Sequence, residues 1–164
     1  MGLPDMALPS ISSIKAELTY TDGTTHTVYT TDKEVHFPEG RLIVSRTDLA
    51  GLITHANDAF IEMSGYDREE LIGAPHHILR HPDMPKIAFK GLWDDIVAGK
   101  KWHGYVKNLR KDGAFYWVYA TAVPNIRNGL IVGYTSVRRK PSRTRIAELE
   151  PIYKQWLDEE KTAS

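Results

Sequence analysis

The segment Leu79-Arg80-His81-Pro82-Asp83-Met84-Pro85 brings a guanidinium, an imidazole and a carboxylate close together in sequence, among rigid prolines and between two helical patterns. Each proline holds φ near about −65° and removes a backbone donor, so the segment cannot continue a helix and must present its side chains in a set geometry. Read structurally, it stops one helix and starts the next, with Asp83 as a cap and Pro85 in the first turn. Read chemically, three ionisable groups held so closely grip a ligand. No reaction centre assembles elsewhere. His77 and His81 stand four apart, but Pro82 disturbs the helix between them, the glutamate of His-Glu-x-x-His is missing and there is no third ligand, so no metal is expected. The chain has no Cys, which removes thiolate nucleophiles, zinc knuckles, disulfides and any cysteine photoadduct, and no nucleophile elbow is present. The chain reads as a non-enzyme.

Composition narrows the class further. A chain of 164 residues, 41% hydrophobic and 26% charged, is long enough for one well-buried core. Lys plus Arg equals Asp plus Glu at 21 each, so no overall field draws it to nucleic acid or to an anionic membrane. The basic cluster Arg138, Arg139, Lys140, Arg143 and Arg145 reads as a solvated strand end. No run approaches the roughly 18 apolar residues of a spanning helix, and residues 1–13 lack a secretory signal, so a cytoplasmic address is expected.

Several elements must position the loop at 79–85. Asp22-Gly23, between Leu18-Thr19-Tyr20-Thr21 and Thr24-Thr25-His26-Thr27-Val28-Tyr29, predicts a hairpin with a two-residue type I′ turn. That turn would pair Leu18 with Thr27 and Ala16 with Tyr29. Such a ribbon is marginal alone and needs the main domain, a partner or a second copy beneath it. Strands follow at 42–47 and 52–55, then a helix from Asn57 to Ser64 ended by Gly65, and a capping box of Asp67 with Glu70. Phe89, Trp93, Ile96 and Val97 predict an amphipathic helix of about four turns between Pro85 and Gly99, lying across a sheet. Runs at 102–110, 114–124 and 130–139, separated by Lys111-Asp112-Gly113 and Asn128-Gly129, supply three antiparallel strands. Ile146, Leu149, Tyr153, Trp156 and Leu157 give a final apolar stripe that Pro151 should kink or restart. The order is α+β: an N-terminal extension at 1–40, a main domain at 41–140 and an output helix at 141–164.

These residues resemble the flavin-binding PAS sensor domain of aerotaxis receptors over residues 45–153. The likeness rests on Ile53-Thr54-His55-Ala56-Asn57-Asp58-Ala59-Phe60, Ser64-Gly65-Tyr66, Gly73-Ala74-Pro75-His76, Arg80-His81-Pro82-Asp83-Met84-Pro85, Val106-Lys107-Asn108 and Tyr116-Trp117-Val118. The Arg-His-Pro-Asp-Met-Pro run is the most particular of these. The resemblance implies a PAS fold, with a five-stranded antiparallel sheet and helices on one face, and a non-covalent flavin between them, FAD in preference to FMN. Its cofactor roles fall on Arg80, His81 and Asp83, with Trp93 and Asn108 as further candidates. Arg80 suits a pyrophosphate, His81 a phosphate or ribose oxygen, and Asp83 a ribose hydroxyl or the orientation of Arg80. Trp93 would stack on a ring system and Asn108 would match the flavin's pyrimidine edge. Thr121 stands where the family tends to have Asn.

The function so implied is a redox- or oxygen-responsive signalling module, in which reduction turns the ring's N5 from acceptor to donor and shifts the sheet between two arrangements. Its partners would be a receptor or signalling domain of the same or another chain, and a second copy in a homodimer. Two alternatives remain open at this point. One is a haem-binding gas sensor using His76, His77 or His81, although the helix at 85–99 contains no His. The other is a cofactor-free interaction domain that dimerises through its hairpin and terminal helix.

Overall fold

The computed structural model describes residues 3–4, 6–20 and 23–163. A five-stranded antiparallel sheet has the order β4-β3-β7-β6-β5, formed by β3 (Ile43–Thr47), β4 (Ile53–Ala56), β5 (Trp102–Leu109), β6 (Phe115–Arg127) and β7 (Leu130–Arg139). A separate ribbon joins β1 (Ile14–Thr19) to β2 (Thr25–Thr30). Between β4 and β5 lie α1 (Asp58–Ser64), α2 (Arg68–Leu71), a 3-10 turn at His76–Leu79 and α3 (Ile87–Val97), and α4 (Arg143–Ala163) closes the chain.

Local chemistry sets the short helices. Asn57 Oδ1 accepts the N–H groups of Phe60 and Val44 while its Nδ2 donates to the Leu42 carbonyl, so one side chain caps α1 and ties it to β3. Gly65 ends α1 in the left-handed region at φ 76°. Asp67 and Glu70 form the expected capping box on α2. Asn128 and Gly129, at φ 52° and 78°, make the tight turn between β6 and β7.

The alternation of strand residues then divides the side chains between two layers. Asn108 opposite Tyr116, Arg138 opposite Ala120 and Ser45 opposite Ser136 share the inner face, where Phe60 of α1 lies under the Arg138 guanidinium at 4.7 Å. Lys107 opposite Trp117 and Tyr105 opposite Tyr119 share the outer face. There α4 stacks Tyr153 on Trp117, with centroids 6.2 Å apart, and the Tyr153 hydroxyl donates to the Tyr105 carbonyl.

Several expectations are corrected. The first hairpin pairs Leu18 with His26 and Ala16 with Val28, one residue away from the expected register. Asp22 lies outside the described residues, but the flanking bonds explain the shift: Tyr20 N–H donates to Thr24 O and Gly23 N–H to Tyr20 O. The same bonding closes the loop of Lys111, Asp112 and Gly113, where Arg110 N–H donates to Ala114 O and Gly113 N–H to Arg110 O. Both are three-residue loops with Gly in the left-handed position. The ribbon packs on its own domain, its buried Val28 against Met6 and Leu109.

Helix α3 has 11 residues, about three turns, and of its expected stripe only Ile96 is buried, while Trp93 and Val97 are exposed. Helix α4 runs unbroken through Pro151, because that proline and Ala147, whose carbonyl loses its partner, both face solvent. Strand β6 continues past Pro124 to Arg127; β5 has already ended opposite Ala122, so the missing N–H of Pro124 falls on an open edge. The expected solvated cluster is also divided, since Arg138 is only 2% exposed.

Candidate functional site

The loop at 79–85 runs along the open edge of β5. Arg80 and Asn108 form an antiparallel bridge, and Lys107 N–H points to the Met84 sulfur at 3.4 Å. This pairing sends successive loop side chains to opposite layers. Arg80 shares the inner side with Asn108, its guanidinium 5.3 Å from the Phe89 ring of α3 and Nη2 donating to the Met84 carbonyl. His81 and Asp83 turn to the outer side, where His81 meets Phe115 edge-on and Asp83 accepts from Lys107 Nζ at 2.8 Å. The structure thus brings His81 and Asp83 together and sets Arg80 across the strand edge from them. Asp83 pairs with Lys107 and makes no capping bond to α3.

His81 is 2% exposed and its Nδ1 accepts the Asp83 backbone N–H at 3.0 Å, which leaves the proton of the neutral ring on Nε2. Burial, followed by the nearby Lys107 charge, lowers its pKa to about 4 against the opposing pull of Asp83. It is neutral at pH 7. Asp83 is held below its ordinary carboxylate value by the Lys107 hydrogen bond and by nearby positive charge, which together outweigh a larger single desolvation effect.

Asn108 is buried on the inner face beside Tyr116, and Trp93 sits half-exposed near the middle of α3, edge-on to Tyr134 at 6.3 Å. Thr121 faces outward, bonded to His103 Nδ1 at 2.9 Å, and does not line the inner layer. Among the histidines, His76 Nε2 meets Ser45 Oγ at 3.3 Å and His77 is stacked under Tyr20 at 3.8 Å.

Sequence reasoning missed the centre of the inner face. Arg138 Nη1 donates to Ser45 Oγ at 2.9 Å, and among the described residues no carboxylate pairs with this buried charge. Desolvation lowers its pKa to about 10, so it remains a cation at neutral pH. The same cation and burial hold neighbouring His76 neutral, its pKa lowered to about 3 by desolvation first and Arg138 second. Burial pushes the Tyr116 phenol up to about 12. The signal for Arg138 was present in strand phase, but a register shift at Asn125/Ile126 hides it: counting from the Asn128-Gly129 turn puts Arg138 on the wrong face.

Five buried side-chain atoms lack a hydrogen-bond partner among the described residues: Arg80 Nε, His81 Nε2, Tyr116 Oη, and Nε and Nη2 of Arg138. Unmet buried groups of this kind cost about 1–3 kcal/mol each, and four of the five, on Arg80, Tyr116 and Arg138, face the inner layer, so that layer calls for a polar ligand. The neighbouring Trp102 ring lies so close over Gly104 that a Cβ there would overlap it, and glycine keeps this part of the inner face open to an aromatic plane. Donors from two guanidiniums and a phenol, the paired donor and acceptor of Asn108, and aromatic rings suit a planar ring with carbonyl oxygens and a phosphate tail.

This fold, a five-stranded antiparallel sheet with short helices over one face, belongs to a known class of α+β domain, and comparison with known proteins places it. The family model described as PAS fold matches residues 53–138, and the chain belongs to that family. It is 48% identical over 126 residues to the aerotaxis receptor of Escherichia coli (strain K12), a match covering 77% of this chain and 25% of that protein. The chain thus spans a quarter of that relative's length. The dark structure of the blue-light photoreceptor Aureochrome1 LOV superposes with a TM-score of 0.59 at 21% identity, over 74% of this chain and 86% of that one. A light-oxygen-voltage domain solved in work on a flavin analogue gives 0.57 at 22% identity, over 75% and 87%. These two likenesses concern the fold. Among the described residues, no helix is long and apolar enough to cross a membrane.

Proposed function

We propose that the chain is a non-catalytic sensory PAS module that holds FAD non-covalently and responds to redox state or oxygen. The observation that carries this reading is Arg138, a buried cation with two N–H groups unmet and no carboxylate partner. The 48% identity to the aerotaxis receptor supports the sensory part. When bound, the flavin supplies reversible uptake of electrons and protons by its ring.

The chain's own residues do the rest. Arg138 would hold the ring by donating to its carbonyl oxygens and would favour negative charge there, an effect strengthened by its dry surroundings. Asn108 would offer one donor and one acceptor edge to the pyrimidine side, and Trp93 would stack on the ring system. Arg80 takes the phosphates with its unmet Nε–H. His81 and Asp83, braced by Lys107, hold the loop so that Arg80 points inward. The response has a route outward, because adjacent residues of β6 belong to different layers: Tyr116 faces the ligand side, while Trp117 stacks on Tyr153 of α4.

The test is a spectrum. The purified protein should show flavin absorption that bleaches on reduction, and heat extraction should release FAD. Arg138→Met should lose the flavin yet remain folded, its flavin-free form about 1–3 kcal/mol more stable to urea than the flavin-free parent, since a buried unpaired charge is gone. A colourless parent that stays colourless after FAD is supplied would refute the reading, and a Soret band would replace it with haem.

A further inference from the structure

The last turns of α4 end on the ligand loop. Its apolar stripe steps from Ile146 to Leu149, Tyr153 and Trp156 at intervals of three, four and three, and the next position in that series is Glu160. A carboxylate thus occupies the face that the preceding turns bury. Its Oε2 accepts the Lys86 N–H and its Oε1 the Ile87 N–H, each at 3.0 Å. Those two groups open α3, which has no side-chain cap of its own, and they follow Pro85 directly. Glu160 therefore does for α3 what Asn57 does for α1, from 73 residues away.

The contact reaches the ligand groups electrostatically. Glu160 is the leading charge acting to raise the Arg80 pKa against the larger lowering by desolvation, and the adjacent Lys161 acts on Asp83. One carboxylate at the end of the terminal helix thus shares the positive field of Arg80 and of the α3 N-terminus. A phosphate gripped by Arg80 would enter that same field with the same sign of charge.

We propose that Glu160 is a latch fastening the end of α4 to the start of α3, and that an anionic ligand phosphate at Arg80 loosens it. The inference rests on the reading of Arg80 as the phosphate holder. Coupling of this kind is reciprocal: whatever binding does to the latch, opening the latch does to binding. The domain would then signal occupancy of the phosphate end through the freedom of its terminal helix, separately from the ring's redox state.

Glu160→Gln removes the charge and keeps one acceptor oxygen, while its NH2 replaces the oxygen that accepts the second N–H, so the variant opens the latch. Dissociation constants would be measured on the full chain with FAD and with riboflavin, which shares the ring but carries no phosphate. The substitution should tighten FAD about two- to fivefold and leave riboflavin unchanged. In the parent, FAD and not riboflavin should speed hydrogen exchange at the amides of Lys86 and Ile87 and in the last turn of α4. Equal FAD affinity in parent and variant, weaker FAD binding in the variant, or the same gain with riboflavin would each overturn the latch. Failure of the parent to bind either compound would overturn the flavin reading itself.

Discussion

Two histidines, His81 buried and His76 half-buried, make the protein's stability depend on pH. His76 and His81 have pKa values lowered to about 3 and about 4, below their ordinary value, because burial and a nearby cation penalise the imidazolium. Above the ordinary value both rings are neutral in the folded and unfolded chain, and their contribution is fully present. As pH falls through it, the unfolded chain takes up protons that the folded chain refuses, so stability drops until the folded pKa is reached. Between pH 6 and pH 5 each ring should cost about 1 kcal/mol per pH unit. Urea midpoints at pH 7, 6 and 5 should fall in that order, and His81→Asn should show a shallower fall than the parent. Identical slopes would mean that His81 titrates normally in the fold. The residue types at 80–83 announced such chemistry in the sequence, but their division between layers did not. It depends on Arg80 bridging to Asn108, a contact between residues remote in sequence.

The elements were legible where their chemistry is local. Gly65, the Asp67–Glu70 box and Asn128-Gly129 act within four or five residues of themselves, and each does in the structure what its spacing implies. The first hairpin slipped by one residue because Asp-Gly serves either a two-residue turn or the end of a three-residue loop. The analogous Lys111-Asp112-Gly113 shows which one this chain uses. Burial of α3 was overestimated for a different reason: an apolar stripe says that a face wants cover, without saying how much of it a sheet supplies. Asn57 shows a local signal with a remote purpose. Its cap on α1 was expected, while its bonds to Val44 and Leu42 fix that helix to β3. Asn57→Ala should therefore cost more than the roughly 1 kcal/mol of a lost cap, about 2–3 kcal/mol by urea unfolding. Asn57→Ser, which restores only the cap, should recover a minority of that loss. Full recovery by serine would show that the bonds to β3 contribute nothing.

At the scale of the whole molecule the two faces of one sheet are finished differently. The outer face is closed by α4 through Ile146, Leu149 and Tyr153, and the N-terminal segment runs beside β6, with Val35 N–H donating to Phe115 O and Phe115 N–H to Lys33 O. The inner face carries an apolar core around Phe60, Leu71 and Ile53, yet places Arg138 and Tyr116 in it with groups unmet. Hydrophobic burial on both sides holds the fold without help, and the unmet donors subtract from it. A ligand that satisfies those donors should return what they subtract, so stability and occupancy are linked by mass action. At a free ligand concentration one hundred times the dissociation constant the gain is about 2.7 kcal/mol, which for a domain of this size raises the melting midpoint by about 5–10 °C. Removing flavin from the purified protein should lower the midpoint by that amount, and FAD added back should restore it in proportion to the logarithm of its concentration. FMN, with a single phosphate for Arg80, should restore less at equal concentration. A midpoint indifferent to FAD would show that the inner face tolerates its unmet donors unaided and that its polar groups serve the apo fold alone.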